Sequence, residues 1–132
     1  MRRKARLTAV EWEIMEAIWT LGGAPSVRAV LEHAFPRAEK AYTTVQTIMN
    51  NLATKGYLRS EKTGMVNFYT PVKTRSQVVK RETSNLVSRV FHGSVPALAS
   101  HLLRSEDLTL EEIKEIRDML EKRAGELRRR KR

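Results

Sequence analysis

The stretch YTTVQTIMNNLATKGYL, residues 42–58, combines a helical pattern with an unusual polar surface. Its apolar residues recur at the spacing of one buried helix face, as Val45, Ile48, Met49 and Leu52. The other positions carry mostly threonine, asparagine and glutamine, where an exposed helix usually carries lysine and glutamate. Because threonine and asparagine are poor helix formers, this pattern indicates a helix surface that contacts something other than water.

Two predicted helices precede this stretch, and a predicted hairpin follows it. Thr8 and Glu11 have the capping-box spacing at the start of a first helix over residues 7–21, and Ser26 is placed to cap a second. YLRSE and VNFYT have the composition of two short strands, joined by KTGM with its turn-forming Gly64. Three helices and then a hairpin is the order of a winged helix-turn-helix domain, whose third helix lies in the DNA major groove.

The chain changes character after this domain, since three further helices are predicted and no strand. We predict a mainly α protein with a winged-helix domain and basic N-terminal arm over residues 1–73, a three-helix dimerisation domain over 74–127, and a basic tail over 128–132. Apolar positions in the second domain are too numerous for three isolated helices to bury, so they are assigned to a homodimer interface. They are Leu86, Val90, Leu98, Leu102, Ile113, Ile116 and Leu120.

Short polar side chains on the third helix suit close approach to base edges, and nearby cations suit phosphates. For Thr43 and Gln46 a capping pair at the helix start is an alternative role. Thr47 and Asn50 have no capping or packing role in this prediction, and Asn51 lies at the edge of the face. The predicted DNA contacts are Thr43, Thr44, Gln46, Thr47, Asn50, Asn51, Lys55, Arg59 and Lys62.

The formal net charge of +10 is concentrated at the two ends of the chain, in RRKAR and in KRAGELRRRKR. This distribution favours a polyanionic partner. One alternative is that the cationic ends only maintain solubility, and another is a protein that coats nucleic acid, or acts as a scaffold on it, without sequence specificity. No export signal and no membrane-spanning stretch is recognised, so a cytoplasmic protein is expected.

The sequence offers little for catalysis. It has no cysteine, no glycine-rich phosphate loop and no nucleophile elbow, and its histidines, His33, His92 and His101, are scattered singly. Glu11, Glu13 and Glu16 are interpreted as a solvated helix face. We therefore expect no enzyme activity, no cofactor and no metal.

Several blocks resemble the penicillinase and methicillin-resistance repressor family, in the same order along the chain. These are LTAVEWEIMEAIW, YTTVQTIMNNLATKGYL, TGMVNFYTPV, VFHG and SEDLTLEEI, which together extend over about residues 7–121. The resemblance implies a winged-helix domain followed by a helical dimerisation domain. It also implies a homodimeric repressor of β-lactamase or related genes that binds a palindromic operator.

Some positions depart from the family pattern. Lys40 stands where many members have an aromatic residue, and Asn51 where many have arginine. The copper-responsive branch ends in a cysteine-rich motif, which a chain without cysteine lacks. The β-lactam branch implies a membrane sensor protease as a partner and cleavage at an Asn-Phe bond; His101 and Leu102 occupy the matching positions, so cleavage there is not expected.

Overall fold

The computed structural model describes residues 6–131 and contains six helices and one two-stranded sheet in that part of the chain. The elements are α1 (Ala9–Leu21), α2 (Val27–Ala34), α3 (Tyr42–Thr54), β1 (Leu58–Thr63), β2 (Val66–Pro71), α4 (Arg75–Val90), α5 (Val95–Leu103) and α6 (Leu110–Arg130). The predicted order of a winged helix followed by three helices is confirmed. Across residues 6–131, no helix combines the length and apolar content needed to cross a membrane. Residues 1–5, which hold most of the predicted basic N-terminal arm, and Arg132 lie outside the described residues.

The first three helices and the hairpin enclose one hydrophobic core. Its fully buried side chains come mainly from α1, α2, α3 and β2 and include Ile14, Ile18, Val30, Val45, Met49, Leu52 and Tyr69. Tyr69 N donates to the Pro25 carbonyl at 2.9 Å, and Ser26 forms a bridge with Phe68, so the hairpin is attached to the start of α2. This core holds α3 against the hairpin and leaves its opposite face outward.

The start of α1 agrees with the sequence. The Thr8 hydroxyl accepts from Glu11 N at 3.2 Å, and Thr8 N donates to the Glu11 carboxylate at 2.8 Å, which completes the predicted capping box. The Ser26 cap of α2 is also present, with its hydroxyl accepting from Ala29 N at 3.2 Å. Both caps satisfy backbone donors that a helix start would otherwise leave unpaired.

The start of α3 differs from the sequence prediction. The helix begins at Tyr42 with Ala41 as its N-cap, and no side chain caps it. Thr43 and Gln46 are therefore not a capping pair, because Thr43 already lies inside the first turn. Val45 N donates to the Ala41 carbonyl at 3.1 Å, and the Arg28 guanidinium lies 5.1 Å from the centre of the Tyr42 ring. The hydrogen bond from Val45 N to Ala41 is the first of the helix, so the helix begins before the predicted cap at Thr43.

Strands β1 and β2 form the wing of the domain and pair in antiparallel register, from Leu58 opposite Pro71 to Thr63 opposite Val66. The loop between them is therefore two residues long, Gly64 and Met65. Gly64 has φ of 64°, a conformation that costs glycine little and a bulkier residue more. The predicted turn at Gly64 and the predicted end of β2 at Pro71 are both observed.

The chain divides into two compact units, the first ending at Arg81 and the second beginning at Glu82. The first turns of α4 belong to the first unit because Val78 is buried in its core. In addition, Arg75 pairs with Glu16 at 2.7 Å, and Trp19 Nε1 donates to the Lys73 carbonyl at 3.0 Å. The compact unit thus extends beyond residue 73, where the sequence placed the division.

Helix α6 continues further than the sequence indicates. It runs through Arg130, so the predicted basic tail over residues 128–132 is helical for most of its length. Three arginines in the last turn lie where the helix dipole favours positive charge, which is the physical reason for the extension. The predicted capping box of Thr109 and Glu112 is present at the other end of this helix.

Candidate nucleic-acid interface

The outward face of α3 is uncharged and polar. Val45, Met49 and Leu52 are buried, and the residues on the opposite side of the helix are exposed. Five of the predicted DNA contacts on α3 are exposed, namely Thr43, Thr44, Thr47, Asn50 and Asn51. The sixth, Gln46, is half-buried. Thr43, Thr47 and Asn50 follow one another at i, i+4 and i+7, so they form one continuous row. A row of short donors and acceptors without charge suits contacts with base edges in the major groove.

The corrected start of α3 changes the interpretation of Thr43 and Gln46. With Ala41 as the N-cap and no capping hydrogen bond, neither side chain has a capping role. The capping alternative is therefore removed, and both side chains belong to the polar surface of the first two turns.

Asn50 has a partner that the sequence did not indicate. The hydroxyl of Tyr69, on β2, donates to the Asn50 side-chain oxygen at 2.6 Å. Tyr69 is fully buried, whereas Asn50 is exposed, so the hydrogen bond joins the core to the outward face of α3. The expectation that Asn50 has no packing role is therefore wrong.

Asn51 lies on a different side of the helix from Asn50. It lines a groove between α3 and the N-terminal turn of α1, together with Thr8, Val10, Ile48, Thr54 and Lys55. This position agrees with its placement at the edge of the polar face.

The ammonium group of Lys55 has partners within the protein. Its Nζ donates to both carboxylate oxygens of Glu11, at 2.7 and 2.8 Å, and to the Arg6 carbonyl at 3.3 Å. These three bonds use all the donors of a lysine side chain. Lys55 therefore joins the end of α3 to the start of α1, and its contact with phosphate stays a prediction that requires these bonds to break.

Glu11 is correspondingly not part of a solvated face, since only 5% of the residue is exposed. Burial by itself would raise the pKa of its carboxyl group. The hydrogen bonds from Lys55 and from the Thr8 backbone outweigh burial, so the pKa of Glu11 lies below its ordinary value. The capping box was a sequence signal for the Thr8 contact, but nothing local indicated Lys55.

The predicted wing cations, Arg59 and Lys62, are both exposed on β1. Successive strand residues point to opposite faces, so the two side chains leave the hairpin on different sides. Lys62 shares its face with Ser60 and, across the strands, with Tyr69. Lys62 is thus on the Tyr69 side of the wing, and Arg59 is on the other side.

The second unit exposes an extensive apolar surface. Neither α5 nor α6, both fully described, contains a buried residue. Among the predicted interface positions, Leu102 is 54% and Leu120 is 64% exposed. The other predicted interface positions are exposed or half-buried, namely Leu86, Val90, Leu98, Ile113 and Ile116. The sequence analysis did not identify five further exposed apolar residues of this unit, which are Val95, Leu103, Leu110, Met119 and Leu127.

His101 and Leu102 lie near the end of α5 and are exposed, and the His101 ring lies 6.2 Å from the Phe91 ring. Within the described part of the chain, no group of three or more His, Cys, Asp or Glu side chains could hold a metal ion.

Comparison with known proteins extends over nearly the whole chain. Residues 7–122 match the family described as Penicillinase repressor. The methicillin resistance regulatory protein MecI of Staphylococcus aureus is 26% identical over 117 residues, covering 89% of this chain and 94% of that protein. The penicillinase repressor of Bacillus licheniformis is 26% identical over 121 residues, covering 92% of this chain and 94% of that protein.

A solved structure is also similar. It is the solution structure of the Bacillus licheniformis BlaI monomeric form in complex with the blaP half-operator. The identity is 28% and the TM-score is 0.47, and the match covers 58% of this chain and 92% of that chain.

Proposed function

Because this chain belongs to the penicillinase repressor family, we propose that it is a transcriptional repressor that binds a palindromic DNA operator as a homodimer. The observation that carries the proposal is the exposed, uncharged row of Thr43, Thr47 and Asn50 on the third helix of a winged-helix domain. We propose DNA of the chromosome as its partner and the cytoplasm as its location. The family consists of transcriptional repressors, and the proposal includes no catalytic step.

In this proposal, α3 lies in the major groove and reads base edges through Thr43, Thr44, Gln46, Thr47 and Asn50. Asn51, on the side of the helix toward α1, contacts the flank of the same site. Phosphate contacts come from Lys62 on the wing and from the basic last turn of α6, with Arg59 as a further cation at the edge of the wing. Phosphate contacts set affinity and its salt dependence, whereas base contacts set sequence preference.

The exposed apolar surface of α4, α5 and α6 supports the homodimer. An apolar surface of this extent is unfavourable in water, and a second copy of the same helices would cover it. A two-fold dimer would place two α3 helices about 34–36 Å apart, which matches successive major grooves on one side of the duplex. Sedimentation at micromolar concentration should give the mass of a dimer; a monomer, with and without DNA, would contradict this assignment.

We propose β-lactamase or related genes as the regulated genes, because the named relatives are a methicillin resistance regulator and a penicillinase repressor. Release of the DNA through a membrane sensor protease is not part of the proposal. The bond at the matching position joins His101 to Leu102, and it lacks the Asn-Phe pair that cleavage in the β-lactam-responsive branch uses.

The proposal is tested by footprinting the purified protein on the DNA upstream of its own gene. A discrete protected region with two-fold symmetry supports a sequence-specific repressor. Uniform protection at all concentrations would instead support a protein that coats nucleic acid without specificity. Competition with random DNA across a salt series then separates base readout from phosphate attraction.

A further inference from the structure

The hydrogen bond between Tyr69 and Asn50 is unusual because it fixes a side chain on the outward face of α3 from inside the core. The Tyr69 ring is fully buried, and its hydroxyl lies 2.6 Å from Asn50 Oδ1. This distance is at the short end of the range for O–H···O hydrogen bonds. The Asn50 residue itself is exposed. Asn50 is therefore anchored at its side-chain oxygen although the residue as a whole is exposed.

The direction of this hydrogen bond follows from the chemistry of its two groups. Burial raises the pKa of Tyr69, so the phenol keeps its proton and can donate it. The side-chain oxygen of Asn50 can only accept. On Asn50 the acceptor is the amide oxygen, so the amide nitrogen and its two hydrogens point away from Tyr69.

We propose, resting on the proposed function, that Tyr69 is a positioning residue that turns the Asn50 amide so that it presents only hydrogen-bond donors to the major groove. Asn50 would then read bases that present acceptors there. Guanine offers N7 and O6 side by side, and thymine offers O4. Cytosine presents only an amino group there, and adenine presents its single acceptor, N7, beside an amino group that would face the amide NH₂.

This assignment differs from the usual pairing of asparagine. A free asparagine contacts adenine with both ends of its amide, donating to N7 and accepting from the N6 amino group. That pairing needs the side-chain oxygen in the groove, and here Tyr69 holds the oxygen toward the core. The structure thus assigns Asn50 a preference for guanine, with thymine second, at one base pair of each half-site.

The test uses the full-length dimer and DNA selected from a randomised pool. Binding is then measured on the selected site and on all single-base changes of it. Asn50→Ala should reduce preference at one base pair by about tenfold, and the favoured base there should be guanine or thymine. Tyr69→Phe keeps the ring but removes the hydroxyl, so it should relax preference at the same base pair. The double variant should add little to Asn50→Ala.

Thr47→Ala is the matched control, since Thr47 lies on the same face and makes no contact with Tyr69 among the hydrogen bonds of the described residues. Its effect should fall on a different base pair and should add to that of Tyr69→Phe. A second variant, Asn50→Asp, keeps an acceptor for Tyr69 but removes the donors. It should shift preference at that base pair toward cytosine, whose amino group donates to carboxylates. This variant tests the inference even if Tyr69→Phe melts at a lower temperature or fails to fold.

Three results would overturn the inference while leaving the repressor proposal intact. One is a preference for adenine at the base pair that depends on Asn50. Another is a Tyr69→Phe variant, folded by its melting curve, that keeps every base preference. The third is a uniform loss of affinity for all sites in that variant. If the wild-type dimer selects no sequence at all, the proposed function fails first and this inference with it.

Discussion

Replacing Lys55 with methionine tests whether this lysine stabilises the fold or contacts DNA. Methionine keeps most of the aliphatic stem but removes the ammonium that lies 2.7 Å from Glu11 Oε1. The lysine side chain is 25% and the glutamate side chain 7% exposed, so the ion pair is mostly shielded from water. Fully buried pairs lose about 3–5 kcal/mol when one partner is removed, and exposed pairs contribute about 0.2–1 kcal/mol.

For Lys55→Met we expect a loss of about 2 kcal/mol in the free energy of unfolding, between the limits for buried and exposed pairs. The Thr8 backbone still donates to Glu11 at 2.8 Å, which keeps the loss below that of an isolated buried charge. The two tryptophans, Trp12 and Trp19, lie in α1, so their fluorescence during urea unfolding reports on the first unit. Lys62→Met is the matched control. Because Lys62 is exposed, this substitution should change the free energy of unfolding by less than about 0.5 kcal/mol.

The pH dependence gives a second measurement on the same variant. The folded-state pKa of Glu11 is depressed, so its ionised form stabilises the fold above the unfolded pKa of about 4.3. That contribution is lost as the pH falls through the lower folded-state pKa. The stability difference between wild type and Lys55→Met should therefore be largest near neutral pH and decrease below about pH 4.3. A variant of unchanged stability that binds DNA weakly would refute this reasoning and return Lys55 to the phosphate contacts.

Further outcomes are expected from the proposed interface. Thr47→Ala should cost about 1–3 kcal/mol on the operator and little on random DNA, measured by fluorescence anisotropy. Deleting residues 128–132 should weaken binding to operator and random DNA by similar factors. It should also reduce the slope of log affinity against log salt concentration by up to about one unit for each phosphate that these residues neutralise. Leu120→Glu should shift the sedimentation profile toward monomer, because it places a charge on the apolar surface of α6. Co-expression with an activated sensor protease should yield only the intact mass, and a fragment ending at His101 would contradict the assignment of the His101–Leu102 bond.

Local features of the fold were predictable because their signals lie within a few residues of one another. The capping pairs Thr8 with Glu11 and Thr109 with Glu112 are three positions apart, and both are present. The buried stripe of α3 and the turn at Gly64 likewise depend on helical period and on backbone freedom at one residue. The same signals predicted an exposed, uncharged face on α3, which the structure has.

The structure, by contrast, decided which polar residues of that region are already paired. Lys55 is 44 positions from Glu11, and Asn50 is 19 positions from Tyr69. Neither pair leaves a periodic pattern, since each forms only when the core brings α3 against α1 and β2. The sequence by itself determined that α3 has an uncharged polar face directed outward. Tertiary packing decided that Lys55 is held by a buried carboxylate and that Asn50 is held by one atom of its amide, because such contacts depend on distance in space.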